Sequence, residues 1–361
     1  VNQATHIHDR SFMSELDHDI KELTAGLRLD PRHAILEVRA DPRAEGIALV
    51  GESTEPEAVE VLCRQLAERV PGGIVLDEVV RLPDPRIGES RFALIRSAIA
   101  PVHAEPRVSS AQVSQYVLGR RLELLSRHGH WWRARGEDRY IGWVHYGYLE
   151  VGTAPSLEAW AEGGGGEAIL SLGAELCDEQ GERLALLPWG ARVVRERSGR
   201  VRLPDGRQGV LGAGVVVEVE RVEERFPPRG EHIVRTARQW MGTPYLWGGV
   251  TPAGADCSGF VQAIFALHGI ALPRDSDQQE QVGMAVLEGG EGVDFSGLQA
   301  GDLLYFAEHH GRVTHVALSL GGSRILHSSL SNGGVAVNDL AGPLEGEERL
   351  RAIFVSARRL L

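Results

Sequence analysis

Three side chains of this 361-residue sequence are suited to nucleophilic chemistry together: Cys257, His315 and His327. Cys257 lies in Asp256-Cys257-Ser258-Gly259, followed by Phe260, Val261, Ile264, Phe265 and Leu267 at helical spacing until Gly269 closes the run. The spacing predicts a helix whose first turn carries the cysteine. There the unpaired backbone N–H groups and the positive end of the helix dipole favour thiolate over thiol, and the thiolate is the nucleophile. Attack on a carbonyl also needs a base within hydrogen-bond reach and a group that orients the base. In the run 313–320, strict alternation puts Val316, Leu318 and Leu320 on one strand face and His315 with Ala317 on the other. The small Ala317 would let a helix approach, so that face is expected to meet the cysteine helix. His327, one hairpin later, falls on the neighbouring strand, and the three residues predict a Cys–His–His triad. His309 and His310 fall in a turn at 308–311 and are expected to be exposed.

The composition excludes several other chemistries. A net charge of −12 offers no basic footprint for nucleic acid and argues against anchoring to an anionic membrane. No apolar run approaches the ~18 residues that a transmembrane helix needs. The start, VNQATHIHDRSFM, lacks a charged-then-apolar leader pattern, which points to a cytoplasmic protein, or to the cell envelope if a leader precedes Val1. Three cysteines do not make a disulfide framework. Cys63 sits beside the helical stripe Val59, Leu62, Leu66 and Val70 and is expected to act as a small hydrophobe, and Cys177 is expected to be structural as well. With no CxxC or HExxH spacing, neither a metal site nor a cofactor is predicted.

The elements that must position these residues follow in order. Residues 1–85 predict helix 14–25, a hairpin of 34–40 and 47–51, helix 55–70 and strand 74–82. That αββαβ order, with the IALVGES strand end, resembles the small accessory domain called BON. Residues 95–152 change to short strands with a turn every 8–12 residues, the pattern of a small barrel. Val117-Leu118-Gly119, Trp131-Trp132 and Tyr140-Ile141-Gly142-Trp143-Val144 there resemble a bacterial SH3-like domain. Four consecutive glycines in 162–167 predict a flexible connector, and 167–226 resembles a diverged second copy of the barrel. Residues 230–361 predict helices first and a meander of strands afterwards, an α+β layout.

The last domain resembles the NlpC/P60 family, papain-like cysteine peptidases of bacterial cell-wall peptides. The resemblance is carried by Gly242-Thr243-Pro244-Tyr245-Leu246-Trp247-Gly248-Gly249, Asp256-Cys257-Ser258-Gly259-Phe260, Leu272-Pro273-Arg274, Gly301-Asp302-Leu303-Leu304, Thr314-His315-Val316-Ala317 and Leu326-His327. It implies Cys257 as nucleophile, His315 as base, His327 as the residue orienting it, and Tyr245 near the carbonyl, with the Cys257 backbone N–H as a second oxyanion donor. The fold implied is multidomain α+β, a papain-like catalytic domain preceded by two all-β barrels and an αββαβ unit.

SH3-like domains before NlpC/P60 further resemble the γ-D-glutamyl-L-diamino-acid endopeptidases of cell-wall stem peptides, in which the first barrel selects a free N-terminal L-alanine. Tyr140 matches the tyrosine at that end, and Glu105, in His103-Ala104-Glu105-Pro106, is the implied acidic partner. A carboxylate buried against an ammonium would demand a free amine, since an acylated end would leave it unpaired. Asp256 and Ser258 either bind the same end or, for Asp256, cap the helix; Arg274 is expected to face the D-glutamate α-carboxylate. The implied partner is the peptide L-Ala-γ-D-Glu-diamino acid. Two rival readings stay open: a wall-binding module with an inactive papain-like domain, and an amidase or acyltransferase on the same fold.

Overall fold

The computed structural model describes residues 10–70, 72–308 and 311–361; the exposed-turn reading of His309 and His310 lies outside them. The N-terminal unit runs helix Arg10–Gly26, strands Leu36–Pro42 and Ile47–Ser53, helix Pro56–Ala67 and strand Val75–Arg81, an αββαβ order. The first two strands pair antiparallel, and the third joins Ile47–Ser53 in parallel, as a helical crossover requires. Leu16 and Ile20 from one helix and Val59, Leu62 and Leu66 from the other pack on Ile47, Leu49 and Val79. Cys63 lies at the edge of this core, and burial raises its thiol pKa.

A seven-stranded antiparallel sheet follows, in the order Leu149–Gly152, Phe92–Ile95, Arg121–His128, Trp131–Gly136, Ile141–His145, Ile99–His103 and Gln112–Val117. It encloses one core built on Ile95, Val102, Leu122, Leu124, Trp132 and Val144. A second small barrel closes on itself because strand Glu167–Cys177 pairs with both Arg192–Arg195 and Gln208–Glu218. Between the barrels the structure corrects the flexible connector. Helix Ala154–Ala161 runs into a tight turn in which Gly163, Gly164 and Gly165 have φ of 88°, 52° and 88°. A Cβ on Gly166 would stand 2.4 Å from the Arg195 carbonyl oxygen, so packing as well as conformation requires the glycines.

The last unit is a six-stranded antiparallel sheet, ordered Met284–Glu288, Phe354–Arg359, Ala300–Phe306, His315–Gly321, Arg324–Ser329 and Gly334–Asp339. The outermost strand, Met284–Glu288, is absent from the sequence reading because it is a mostly exposed edge without apolar alternation. The helix Cys257–Leu267 lies against one face of this sheet. That face carries Val316, Leu318 and Leu326, which share a core with Phe260, Ile264 and Phe265. Ala317 instead packs with Phe306 and Phe354 on the opposite face. This reverses the expectation that the Ala317 face meets the helix: branched side chains at 316 and 318 bury more apolar surface against it than alanine could. Among the described residues no helix is long and apolar enough to cross a membrane.

Candidate active site

The cysteine helix begins where Asp256 caps it. The Asp256 carboxylate accepts from the Gly259 N–H at 2.7 Å through Oδ1 and from the Gly248 N–H at 2.8 Å through Oδ2. One side chain thereby ties the loop 245–249 to the start of the helix. Asp256 is 4% exposed and Arg274 1%. A carboxylate buried that far needs a counterion, which Arg274 supplies with both terminal nitrogens, Nη1 to Oδ1 at 3.1 Å and Nη2 to Oδ2 at 2.7 Å. Arg274 also donates to Ser258 Oγ at 2.9 Å and, through Nε, to Ser114 Oγ of the first barrel at 3.0 Å. Asp256, Ser258 and Arg274 are therefore brought together, but as a buried lattice under the cleft. The expectation that Arg274 faces the D-glutamate carboxylate is corrected, because its guanidinium is occupied within the protein.

Cys257 is 8% exposed. Burial, then the neighbouring Asp256 charge, push its thiol pKa up to about 12, against the backbone N–H groups of Val316 and Ser258 and the charge of Arg274. A dry site and a carboxylate neighbour thus oppose the thiolate that the helix N-terminus favours. The contact with the Val316 N–H also places the sulfur beside the strand residue that follows His315.

His315 Nε2 and His327 Nδ1 are 2.6 Å apart, and His327 Nε2 lies 2.9 Å from Asn338 Oδ1. The amide oxygen only accepts, so His327 donates from Nε2 and accepts at Nδ1 from His315 Nε2–H. His315 Nδ1 is left with its lone pair free. Burial, then His327, hold the His315 pKa well below its ordinary 6.5, and burial lowers His327 as well. At neutral pH the resting pair is thiol and imidazole. Asn338 was missed by the sequence reading. The signal was available: His327 pairs with Ala336, and Asn338, two residues on, shares that face. Asn332 Nδ2 in turn donates to Asn338 Oδ1 at 2.7 Å and fixes its orientation.

Tyr245 is half-buried, and burial followed by the Cys257 and Asp256 charges raises its pKa, which places its hydroxyl near the sulfur. Among the described residues no backbone acceptor takes the Cys257 N–H.

Tyr140 follows a tight turn in which Asp138 accepts the Tyr140 N–H at 3.1 Å and Arg139 takes a left-handed φ of 67°. The ring is buried, and no side chain of the described residues hydrogen-bonds its hydroxyl. Burial, then the charge of Asp275, raise its pKa, while Arg274 and Arg32 pull the other way. All three charges therefore lie close to Tyr140. Glu105 lies in the tip of the hairpin whose strand Ile99–His103 pairs with the strand after Tyr140, and its side chain is 58% exposed and paired with Arg107 at 3.0 Å. The expectation of a buried Glu105 is corrected, since a loop tip cannot exclude water from it. Besides Asp138, the charge of Asp275 acts on the Tyr140 hydroxyl, and Asp275 was overlooked because the sequence reading stopped at Arg274. A cavity of about 720 Å³ between Tyr116, Arg120, Trp189, Arg192 and Gln262 contains none of the candidate catalytic residues. Among the described residues no cluster of His, Cys, Asp and Glu is arranged to hold a metal.

The neutral resting pair has a direct consequence. Alkylation of Cys257 by iodoacetamide in the free protein, followed by peptide mass spectrometry, should be slow near neutral pH and rise about tenfold per pH unit in alkali. A fast, pH-independent rate would mean a thiolate already present at rest.

Comparison with known proteins agrees with this layout. Residues 242–353 match the NlpC/P60 family, and residues 102–146 match the bacterial dipeptidyl-peptidase Sh3 domain. A γ-D-glutamyl-L-lysine dipeptidyl-peptidase of Bacillus cereus is 34% identical over 164 residues, 45% of this chain and 46% of that protein. The Bacillus subtilis protein of the same name is 43% identical over 100 residues, 27% of this chain and 31% of that one. The match thus spans less than half the length of these curated relatives. The crystal structure of an NlpC/P60 family protein from Bacillus cereus, 24% identical, covers 75% of this chain and 99% of its own with a TM-score of 0.61, a likeness of fold.

Proposed function

We propose, on the premise that residues 242–353 are an NlpC/P60 domain preceded by a bacterial SH3 domain at 102–146, that this chain is a cysteine endopeptidase of peptidoglycan stem peptides. It hydrolyses the bond between γ-D-glutamate and a diamino acid in peptides with a free N-terminal L-alanine. The observation that carries the reading is the hydrogen-bonded series from His315 through His327 to Asn338 beside the Cys257 helix. The names of the two dipeptidyl-peptidase relatives support the substrate class. The N-terminal αββαβ unit is read as a BON-like accessory module.

In this mechanism His315 Nδ1 takes the thiol proton as Cys257 Sγ attacks the γ-carboxamide carbonyl, so the thiolate forms only as the bond to carbon forms. The developing oxyanion is received by the Cys257 N–H and the Tyr245 hydroxyl. Collapse breaks the C–N bond, and the imidazolium of His315 returns its proton to the departing amine. Water, deprotonated by the same imidazole, then hydrolyses the thioester and releases L-Ala-γ-D-Glu. A base with a pKa below its ordinary value is unprotonated at neutral pH and ready for the first step.

The substrate ammonium would lie between Tyr140 and Asp275. The test is a paired digest read by mass spectrometry, with L-Ala-γ-D-Glu-diaminopimelate as the free amine and as the same peptide attached to its muramyl sugar. Release of L-Ala-γ-D-Glu from the free peptide alone is expected. Equal cleavage of both would remove the amine requirement, and cleavage of neither would remove the peptidase. Tyr140→Phe keeps the ring and loses the hydroxyl, so kcat/KM on the free peptide should fall roughly 10–100-fold, the worth of a hydrogen bond to a charged group. Normal hydrolysis by that variant would show that the hydroxyl does not touch the amine.

A further inference from the structure

The N-terminal unit is not tethered at a distance from the cleft. Its turn at 30–33 reaches both of the other walls at once. The Arg32 carbonyl accepts from the Ile141 N–H at 2.7 Å, one residue beyond Tyr140. The Arg32 guanidinium donates from Nη1 to Asp275 at 2.8 Å and to Asp277 at 2.7 Å, and from Nη2 to its own neighbour Asp30 at 2.7 Å. Gln278 donates back to Asp30 at 2.7 Å. Behind this turn, Ile35 and Leu82 of the N-terminal side pack on Leu125 and Ile141 of the first barrel. Arg133 of that barrel pairs with Glu37 and Glu52. A turn fixed by an apolar patch, a backbone hydrogen bond and an ion-pair network has one position relative to the barrel and the catalytic domain.

That position is at the amine end of the proposed cleft. Asp275 follows Arg274, the residue that holds Asp256 next to Cys257, and Asp275 and Arg32 both lie close enough to Tyr140 for their charges to act on its hydroxyl. Three carboxylates, Asp30, Asp275 and Asp277, surround the Arg32 guanidinium, and Arg312 also pairs with Asp277, which leaves one carboxylate charge in excess. Such a surplus attracts an ammonium. Asp275 accepts from Arg32 through Oδ2 only, and none of the described side chains donates to its Oδ1, so one carboxylate oxygen stays available for a second cation.

We propose that the 30–33 turn is the end wall of the substrate site, and that Arg32 is a positioning residue that sets Asp275 against Tyr140 and blocks any extension of the peptide beyond its N-terminal amine. This inference rests on the peptidase reading. It gives the N-terminal unit a part in selecting short, free-amine peptides over those still joined to a sugar or acyl group. The barrel supplies the tyrosine, the catalytic domain the acid, and the N-terminal unit the closure.

The test compares Arg32→Ala, Arg32→Gln and Arg32→Lys with the wild-type full chain. Each is digested with a mixture of L-Ala-γ-D-Glu-diaminopimelate and its N-acetyl form. Because both substrates compete in one tube, the ratio of their kcat/KM values is insensitive to any loss of folded protein. Arg32→Ala and Arg32→Gln are expected to shift that ratio toward the acetylated peptide by about tenfold or more, with KM for the free peptide rising while kcat changes little. Arg32→Lys should recover part of the preference, since it restores the charge without the fork. An unchanged ratio in the Ala and Gln variants of a protein that cleaves the free peptide would overturn the wall and leave the peptidase standing. A wild-type protein that cleaves both peptides equally would overturn the wall together with the amine requirement. A wild-type protein that cleaves neither would overturn the peptidase reading and this one with it.

Discussion

Cys257→Ala is expected to lower hydrolysis of L-Ala-γ-D-Glu-diaminopimelate by roughly 10⁵-fold or more, the order seen when a covalent nucleophile is removed. The same variant should leave the fold intact. The Cys257 side chain is small and sits at the rim of a core formed by Phe260, Ile264, Val316 and Leu318, which keeps its own contacts when the sulfur is lost. The helix start is held by the Asp256 carboxylate and not by the thiol. Thermal denaturation and the far-ultraviolet spectrum should therefore match the wild type while product release disappears. His315→Ala is expected to cost nearly as much, and the double variant little more than either single one, because nucleophile and base act as a unit. If Cys257→Ala turned over at a rate comparable with wild type, the whole mechanism would fall. Cys63 could not take over the chemistry: it lies at the edge of the N-terminal core, in a different unit from the His315–His327 pair.

The sequence showed where the candidate catalytic residues fall better than it showed their state. Cys257, His315 and His327 sit in local patterns, a helix start and two alternating strands, and such periodicities survive in any tertiary setting. Their protonation does not. Whether a cysteine at a helix start is a thiolate depends on what else is buried there, and the deciding neighbours are a carboxylate one residue away and a low-dielectric wall assembled from distant strands. The face of the sheet that meets the helix was misjudged for a related reason. Alternation separates Val316 from Ala317, but only the competition between the two apolar layers decides which one the helix covers. Asp275 and Arg32 lie further beyond local reading. Their pairing joins residues 243 positions apart. The same holds for Glu105, whose sequence context allowed a buried acid but whose place at a hairpin tip depends on the pairing of Ile99–His103 with Gln112–Val117. The glycine run shows the converse error: a composition that suits a flexible linker also suits a turn that nothing but glycine can make.

Arg274→Ala separates the two accounts of that residue, one as a substrate ligand and one as a buried tie. As a ligand, its loss would raise KM for peptides with an intact D-glutamate carboxylate and leave stability within about 0.5 kcal/mol, the range of an ordinary surface substitution. As a tie, its loss strands the Asp256 carboxylate in a dry site with its counterion gone, and breaking such a pair from one side costs about 3–5 kcal/mol. We expect the second outcome. The penalty is a large fraction of the roughly 5–15 kcal/mol that holds a domain folded, so the melting temperature should drop well before any kinetic effect is read. Arg274→Lys should recover only part of the loss, because an ammonium cannot reach both Asp256 oxygens, Ser258 and Ser114 from one position. The decisive control is Asp256→Asn combined with Arg274→Ala. Removing the charge from both sides relieves the stranded carboxylate, so the double variant should be more stable than Arg274→Ala alone, a coupling that a residue facing substrate would not show. Activity should stay low in that double variant even where the fold recovers. The loop 245–249 and the cysteine helix share the Asp256 carboxylate as their joint, while Arg274 Nε reaches the barrel that carries Tyr140. The same guanidinium therefore sets Cys257, the 245–249 loop and the barrel that carries Tyr140 relative to one another, and a stable fold without it still lacks that arrangement.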